Sequence, residues 1–266
     1  AKLVLSEKQS TQRHSEFAIR NEGIWREKTA LQHVYNYFYS IINDTIDYSL
    51  RGKIVEIGSG IGNIKEYINE CICTDIFPNP WIDQIENAYA LTFQNETISN
   101  IILFDVFHHL EFPGDALNEL YRVLQKNGRV ILFEPSISFV GLIIYGIFHH
   151  EPLGLFKKIK LFSDTPLKDS PNYYAAQGNA SRIFNNKKRY YQLLSKWDIL
   201  VEKNITSFAY IATGGYSKSQ ILPVSMVPSL MMLDKYINFF TPIFAVRKLI
   251  VLVKKQCSRG NKKKNE

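Results

Sequence analysis

The stretch Lys53-Ile-Val-Glu-Ile-Gly-Ser-Gly-Ile-Gly-Asn63 decides the fold of this chain. Its first five residues include Val55 and Ile57, which favour β-structure, and they predict a short buried strand. The three glycines that follow predict a tight turn where backbone lies close to a ligand, because glycine has no Cβ to clash. A helix predicted from Ile64 to about Asn69 would point free N–H groups at that ligand. The stretch therefore predicts a nucleotide-type pocket at the carboxyl end of a first strand.

The spacing of the glycines separates this turn from the dinucleotide fingerprint. That fingerprint is Gly-x-Gly-x-x-Gly, whereas Gly58, Gly60 and Gly62 occupy every second position and the fingerprint's third glycine is here Asn63. An acid, Glu56, stands two residues before the first glycine. This acid-x-Gly-x-Gly-x-Gly form resembles motif I of class I methyltransferases that use S-adenosylmethionine. The resemblance implies that Glu56 and the three glycines form part of a site for that cofactor.

Strand and helix patterns alternate after the glycine turn. Strands are predicted at Cys71–Asp75, Asn100–Phe104 and Arg129–Phe133. Between the last two, residues 115–125 form an apolar stripe at helical spacing, with Asp115 as the expected N-cap and Asn127-Gly128 as the stop. This alternation predicts an α/β fold with a doubly wound parallel sheet.

Acids end two of these strands. Asp75 comes 19 positions after Glu56, and a carboxylate there can accept hydrogen bonds from both ribose hydroxyls of a nucleotide. A surface acid with no ligand is the alternative. We include Ile76, the next residue, in the predicted cofactor site. Asp105 follows the strand at 100–104 and is expected at the reacting end of the cofactor.

Further motifs extend the resemblance to about residues 50–136. They are His108-His109-Leu110, Glu119-Leu-Tyr-Arg-Val-Leu124, Asn127-Gly-Arg129 and Glu134-Pro135. The series is similar to the type-11 methyltransferases, a group that includes C-methyltransferases of quinone biosynthesis and many tailoring enzymes. Asn127 departs from the family pattern, in which glycine is common.

This resemblance implies a Rossmann-like seven-stranded sheet whose last strand is antiparallel. In this class an Asp-Ala pair often precedes Leu-Pro-Phe and lies near the adenine amino group. Here Asn87-Ala88 precedes Leu91-Thr-Phe93, so the resemblance implies an adenine contact for Asn87 and Ala88.

Four segments are expected along the chain. Residues 1–45 form an N-terminal helical cap, in which residues 1 to about 22 are polar and at most partly ordered and Trp25–Ile42 is an amphipathic helix. Residues 46–136 form the cofactor-binding core. Residues 137–253 form the second half of the sheet with apolar lid insertions, and residues 254–266 form a basic disordered tail.

The second half carries the weaker patterns. The apolar run Ile137–Phe148 is twelve residues long, too short to span a bilayer, and predicts a buried or interfacial helix. A helix is predicted at Lys187–Trp197, strand six from Trp197 and the last strand at Arg247–Val253. The insertion between those strands includes Gly214-Gly215 and an apolar helix from Pro228 to Phe240. In the family such insertions commonly cover the substrate site.

The charge distribution and the cysteines restrict the partners and the compartment. The net charge is +7, but residues 254–266 hold six Lys or Arg and one acid, so the tail carries +5 and the rest +2. A nearly neutral body argues against a broad nucleic-acid surface. The tail is either a solvated segment or a basic patch attracted to anionic lipid. The second alternative predicts peripheral association with a membrane. Three cysteines cannot form a disulfide framework, which favours a cytoplasmic compartment.

The chemistry of methyl transfer directs attention to the histidines. Because the sulfonium donor is already activated, the protein mainly aligns donor and acceptor, and a base is needed only when the acceptor loses a proton. His108, His109 and His150 are the candidate general bases, since histidine suits proton transfer at neutral pH. A purely structural role for His108 and His109 stays open. Adjacent histidines on a helix cannot both face one site, so His149-His150-Glu151 predicts a substrate-pocket role and no metal site.

The predicted function is S-adenosylmethionine-dependent methyl transfer to a small or lipid- or sugar-linked metabolite. The Asp-Val-Phe-His sequence at 105–108 lacks the Pro-Pro-aromatic motif of amino-methyltransferases of nucleic-acid bases, and no cysteine stands there for base C5-methylation. Both absences argue against nucleic acid as the substrate. The alternative is a catalytically silent relative that holds the cofactor and acts as a binding or membrane-peripheral protein.

Overall fold

Seven strands form one sheet in the computed structural model, which describes residues 7–148, 151–165, 167 and 174–255. They are β1 (Lys53–Ile57), β2 (Cys71–Asp75), β3 (Gln84–Ile85), β4 (Ile98–Phe104), β5 (Leu124–Pro135), β6 (Trp197–Thr206) and β7 (Ala245–Lys254). The strand order is β3-β2-β1-β4-β5-β7-β6. Strands β1 to β5 pair in parallel, and β7 pairs antiparallel with both β5 and β6. The predicted doubly wound sheet with an antiparallel last strand is confirmed.

Helices cover both faces of the sheet. They are α1 (Glu7–Glu27), α2 (Thr29–Asn43), α3 (Pro113–Val123), α4 (Phe139–Ile143), α5 (Asn179–Phe184), α6 (Tyr191–Leu194), α7 (Phe208–Thr213), α8 (Val227–Ile237) and α9 (Thr241–Phe244). Side chains of α3, α5 and α6 belong to the apolar core on one face. Side chains of α2, α7 and α8 belong to the core on the other face.

Strand β4 shows why both faces need cover. All seven of its residues are buried. Ile101 and Leu103 pack into the core with α3, whereas Ile102 and Phe104 pack into the core with α2. Since successive side chains of a strand point to opposite faces, a continuous apolar strand must lie between two layers of helices.

The N-terminal region is more helical than predicted. Helix α1 extends over 21 residues where we expected a polar and partly ordered segment. Its end is held by tertiary contacts: Trp25 Nε1 donates to Glu66 Oε1 at 3.0 Å. Lys28, between α1 and α2, donates from Nζ to the carbonyl oxygen of Gly215 at 2.7 Å. These contacts join residues far apart in sequence, so local polarity did not reveal them.

The helix predicted after the glycine turn is reduced to one 3-10 turn, Asn63–Glu66. Gly62, at its start, has a left-handed φ of 67°, and a Cβ there would lie 2.5 Å from the Trp81 carbonyl oxygen. Helix α3 also differs, because it begins at Pro113, which suits the first helical position. Asp115 is therefore not the N-cap, and its Oδ2 accepts from the backbone N–H of Ser163 at 2.8 Å.

Apolar side chains remain exposed in the second half. The run predicted as one helix at 137–148 is α4 followed by a π-helical turn at Ile144–Phe148. Phe139 and Ile147 are exposed, while the buried Tyr145 donates from its hydroxyl to the Val246 carbonyl at 2.6 Å. Several apolar side chains of α8 and the turn after it are exposed as well: Met232, Leu233, Tyr236, Phe239 and Phe240. Contact of this face with a lipid surface stays a prediction.

Within the described ranges, no helix has the length and apolar character needed to cross a membrane.

The helix predicted at Lys187–Trp197 is shorter than expected, since only Tyr191–Leu194 is α-helical. At the C-terminus, Lys254 still belongs to β7 and is buried. The predicted basic tail otherwise falls on residues 256–266, outside the described residues.

Candidate functional site

Two adjoining cavities lie at the carboxyl ends of β1, β2 and β4. The first, which we call the Arg247 cavity, has a volume of about 360 Å³. The second, which we call the Asp75 cavity, has a volume of about 420 Å³. Residues that line both are Asn21, Gly58, Gly60, Asp105 and His109. The switch point of a doubly wound sheet is where such folds bind their ligands.

The structure brings together most of the predicted cofactor residues. Glu56 lines the Arg247 cavity. Asp75, Ile76, Asn87 and Ala88 line the Asp75 cavity. Gly62 lines neither, and instead shapes the turn beneath Trp81.

The glycine turn leaves room that other residues would fill. Gly58 has a left-handed φ of 73°, and a Cβ there would lie 2.5 Å from Val106 Cγ2. Gly60 has a φ of 55°, and its N–H donates to Asp75 Oδ2 at 3.0 Å. The turn therefore positions the Asp75 carboxylate in the Asp75 cavity next to Gly60, where it can accept from the hydroxyl groups of a nucleoside.

The walls of the Asp75 cavity are held by short-range hydrogen bonds. Asp75 Oδ1 accepts from the Phe77 N–H at 3.1 Å. Asn87 Oδ1 accepts from the Tyr89 N–H at 3.0 Å, which fixes the loop that carries Ala88. Ile76 is 41% exposed and adds an apolar surface to the cavity. The arrangement suits a base and a ribose.

Glu56 is almost fully buried at the start of the glycine turn, with 3% of its surface exposed. Burial raises the pKa of Glu56 to about 8, and the nearby Cys73 and Asp75 add to the increase. A positively charged ligand in the Arg247 cavity would favour the carboxylate, since opposite charges lower the pKa of an acid.

We expect Glu56→Gln to alter the pH dependence of stability. Between pH 4.5 and about 8 the folded protein keeps the Glu56 proton, whereas the unfolded chain releases it. The folded state then binds more protons, so the free energy of unfolding falls as pH rises through this window. Urea unfolding at pH 5 and pH 8 should show that the variant gains on the order of 3 kcal/mol relative to wild type at the higher pH. Glu70→Gln, at an exposed site, is the control. A stability difference between wild type and Glu56→Gln that does not change with pH would refute the expectation.

Asp105 forms an ion pair that the sequence did not predict. Its Oδ1 accepts from Arg247 Nη1 at 2.5 Å, and 1% of the Arg247 side chain is exposed. Burial raises the pKa of Asp105, and Arg247 opposes that increase. Asp105 has a left-handed φ of 56°, which aims its carboxyl group between the two cavities.

Aromatic rings surround the Arg247 guanidinium. Its Cζ lies 4.3 Å from the centre of the Tyr210 ring. Phe38, Phe104 and Phe133 lie between 5.6 and 5.9 Å from it. Such contacts stabilise a buried cation. One signal in the sequence could have marked this position, because Arg247 and Lys248 are basic residues within an otherwise apolar strand.

The histidine pair lies in one 3-10 turn, Phe107–His109, with the two ring centres 4.2 Å apart. His108 is buried, and its Nδ1 lies 2.7 Å from Glu134 Oε2. Glu134 also accepts from the backbone N–H of Val106 and Phe107 at 2.9 and 2.7 Å. Burial opposes the charged form of His108, but Glu134 and Glu151 outweigh it and raise its pKa to about 10.

His109 differs from its neighbour in environment. Its Nδ1 lies 2.9 Å from the Tyr174 carbonyl oxygen, which orients the ring as an N–H donor there. Burial, followed by the charge on His108, lowers the pKa of His109. Its Nε2 lies 3.5 Å from Glu151 Oε1. Both histidines line the Arg247 cavity, whereas His150 falls outside the described residues and its predicted role stays a prediction.

Several residues of the site come from parts of the chain without a recognisable motif. Gln177 and Glu151 reach the histidine pair from the segment after β5. Tyr210 and Tyr216, in the insertion before β7, line the Arg247 cavity, while Phe17 and Arg20 of α1 close it. The apolar helix predicted as a cover, α8, lines neither cavity. Only the fold brings these residues together.

Comparison with known proteins gives a family for the core. Residues 55–132 match the family described as methyltransferase domain. A 48-residue segment is 42% identical to part of probable polyketide synthase 10 of Dictyostelium discoideum, a match that covers 18% of this chain and 2% of that protein.

Solved structures share the fold across most of the chain. An S-adenosylmethionine-dependent methyltransferase of Thermotoga maritima, a possible histamine N-methyltransferase, aligns over 90% of this chain and 98% of its own with a TM-score of 0.54 and 15% identity. An S-adenosylmethionine-dependent methyltransferase of Archaeoglobus fulgidus aligns over 84% and 94% with a TM-score of 0.50 and 12% identity.

The motif series, the strand order and the match over residues 55–132 agree with one another. Gly58, Gly60, Asp75 and Asn87 line the two cavities with residue types that could hold a nucleoside cofactor such as S-adenosylmethionine. Residues 55–132 therefore match a methyltransferase domain, and the described chain has the fold of the S-adenosylmethionine-dependent methyltransferases to which it is similar.

Proposed function

We propose that this enzyme transfers the methyl group of S-adenosylmethionine to a small metabolite bound in the Arg247 cavity. The observation that carries the proposal is the junction of the two cavities at Gly58, Gly60 and Asp105. One cavity has the residues that fit a nucleoside, and the other has the size of a small-molecule site. A donor that spans the junction would present its reactive end to the Arg247 cavity.

The lining of the Arg247 cavity supports a compact acceptor with a flat hydrophobic or sugar-like ring. Besides Phe17 of α1, it includes the aromatic side chains of Tyr35, Tyr39, Phe104, Tyr145, Tyr210 and Tyr216. Aromatic faces bind the planes of rings and the C–H faces of sugars, and the tyrosine hydroxyl groups add polar contacts. A lipid- or sugar-linked acceptor fits if its linked portion leaves the cavity beside α1.

The protein's part in the reaction is mainly alignment. The bound cofactor supplies an activated methyl group on a sulfonium. Asp75, positioned by the Gly60 N–H, would accept from the nucleoside portion, and Glu56 would place a carboxylate near the cofactor's positive charges. Glu56, Asp105 and the aromatic walls would orient the two reactants for in-line displacement, which lowers the entropic part of the barrier.

The experiment is methyl transfer from labelled S-adenosylmethionine to a panel of small hydroxylated and amine acceptors and to a low-molecular-weight cell extract. We expect label to appear in a small molecule. Gly60→Arg should abolish transfer, because its side chain would occupy the junction of the cavities. Asn69→Arg, which adds the same side chain at an exposed turn, should leave transfer unchanged.

Failure has two distinct forms. Protein that binds the cofactor but transfers label to no acceptor in the panel or the extract would support the catalytically silent alternative. Protein that does not bind the cofactor would overturn the proposal entirely.

A further inference from the structure

Two imidazoles and a carboxylate converge on one point of the Arg247 cavity wall. His108 Nε2 lies 3.3 Å from Glu151 Oε2, and His109 Nε2 lies 3.5 Å from Glu151 Oε1. The ligand atoms of the three residues all lie within 4.8 Å of one another. The two histidines are adjacent in one 3-10 turn, with ring centres 4.2 Å apart, and both rings reach Glu151.

The other nitrogen of each ring is held in the way that metal-binding histidines require. His108 Nδ1 faces Glu134 Oε2 at 2.7 Å, and His109 Nδ1 faces the Tyr174 carbonyl at 2.9 Å. With Nδ1–H donating to an oxygen, Nε2 faces the common point, where it can bind a metal ion once its proton is displaced. A carboxylate or carbonyl partner of this kind orients metal-ligating histidines and raises their basicity.

Charge and an unpaired oxygen favour a cation at this point. Glu134 and Glu151 place two carboxylates around the imidazoles, and a divalent ion bound there would displace the proton that His108 carries between them. Gln177 is 2% exposed; its Nε2 lies 3.1 Å from His108 Nε2 and donates to Glu151 Oε2. Its Oε1 has no hydrogen-bond partner among the described residues. A half-turn of the amide would exchange the two atoms, so that an oxygen rather than an amide N–H would face the cation.

We propose that His108, His109 and Glu151 bind one divalent transition-metal ion of the Zn²⁺ type in the wall of the Arg247 cavity. Tetrahedral Zn²⁺ sites with bonds of about 2.0–2.2 Å separate their ligand atoms by roughly 3.3–3.6 Å. His108 Nε2 and His109 Nε2 lie at 3.3 and 3.5 Å from Glu151 Oε2 and Oε1, respectively. Two imidazoles and one carboxylate also leave a coordination position open, as in catalytic rather than structural zinc sites.

A metal ion at this point would favour methyl acceptors that carry a hydroxyl or enol oxygen. This part of the inference rests on the proposed methyl transfer. The ion's open position would bind a hydroxyl or enol oxygen of the acceptor and make that group more acidic, so the proton passes to solvent. The oxygen, or the carbon conjugated to it, then forms the bond to the methyl group. The S–CH₃ bond breaks with its electron pair moving to sulfur, which leaves a neutral thioether.

The test is metal binding by the full chain after treatment with a chelator. Titration with Zn²⁺ by calorimetry, and with Co²⁺ by visible absorption, should show one ion bound with micromolar or tighter affinity. His109→Ala and Glu151→Gln should each weaken binding at least about 10-fold, because loss of outer partners alone weakens metal sites 10–100-fold. His33→Ala, at an exposed site on α2, is the matched control.

The outcomes separate this site from the proposed function. Binding that both variants weaken supports the site even if no methyl acceptor is found. The proposed metal site is overturned if wild type binds no ion, or if it binds an ion no more tightly than His109→Ala and Glu151→Gln do. Glu151→Gln keeps the shape of the side chain, so it tests the ligand set even if His109→Ala is poorly folded. Methyl transfer that persists at full rate without metal would overturn the acceptor role alone.

Discussion

Asp105→Asn is expected to lower the free energy of unfolding by about 3 kcal/mol, because it leaves the Arg247 charge buried without its carboxylate. Arg247 cannot lose its proton to relieve this, since a guanidinium stays charged in proteins. The aromatic rings around it offset part of the loss, which places the effect at the low end of the range for broken buried pairs. Asparagine tolerates the left-handed backbone of position 105, so the change isolates the charge.

A double-mutant cycle distinguishes this effect from simple loss of packing. Urea unfolding of Asp105→Asn, Arg247→Met and the double variant should show the double variant to be more stable than Asp105→Asn alone, because the unpaired charge is then gone. Lys65→Met is the control for an exposed pair: it removes the partner of Asp83, and we expect a loss below about 1 kcal/mol. Additive effects in the Asp105 and Arg247 cycle would contradict the buried-pair interpretation.

Asp75→Ala is expected to weaken binding of S-adenosylhomocysteine roughly 100-fold, or about 3 kcal/mol, as measured by calorimetry. The carboxylate lies at the end of β2 in the Asp75 cavity, where it can accept from two ribose hydroxyl groups. Asp75→Asn should have a smaller effect, because the amide still offers one acceptor oxygen.

The ribose contact can be separated from a general disturbance of the turn. Asp75 also accepts from the Gly60 N–H, so the alanine variant loses a contact within the turn as well. If the ribose contact accounts for the weaker binding, a ligand that lacks the two ribose hydroxyl groups should bind wild type and Asp75→Ala with similar affinity. Glu70→Gln, at the opposite end of β2 and exposed, should bind both ligands like wild type. Equal weakening for both ligands would refute the ribose contact.

Part of the candidate site follows from local sequence. The glycine turn, Asp75 and Asp105 each follow a strand, and parallel strands place their carboxyl ends along one edge. A residue that a motif places at the end of a strand therefore lies at the edge of the sheet where the cavities are. Local sequence failed where tertiary contacts override it, as in the 3-10 turn at Asn63–Glu66, which follows the left-handed Gly62 and lies beneath Trp81.

The acceptor side could not be predicted in this way. Arg247 and Tyr210 are separated from Asp105 by more than a hundred residues in the chain, yet they meet it at the cavity floor. Glu151, expected to act with His149 and His150, instead lies against His108 and His109. These contacts depend on how the loops after β5 and β6 pack onto the sheet, which no repeating pattern encodes.

The sequence by itself determined the doubly wound sheet, because that depends on periodic burial. Its short motifs at strand ends carried the resemblance that implied an antiparallel last strand and a cofactor site. Only the tertiary structure decided what faces the acceptor: an arginine in an aromatic cage, and two imidazoles and a carboxylate that share one point. The physical reason is that long-range packing, rather than local spacing, brings these side chains within a few ångströms of one another.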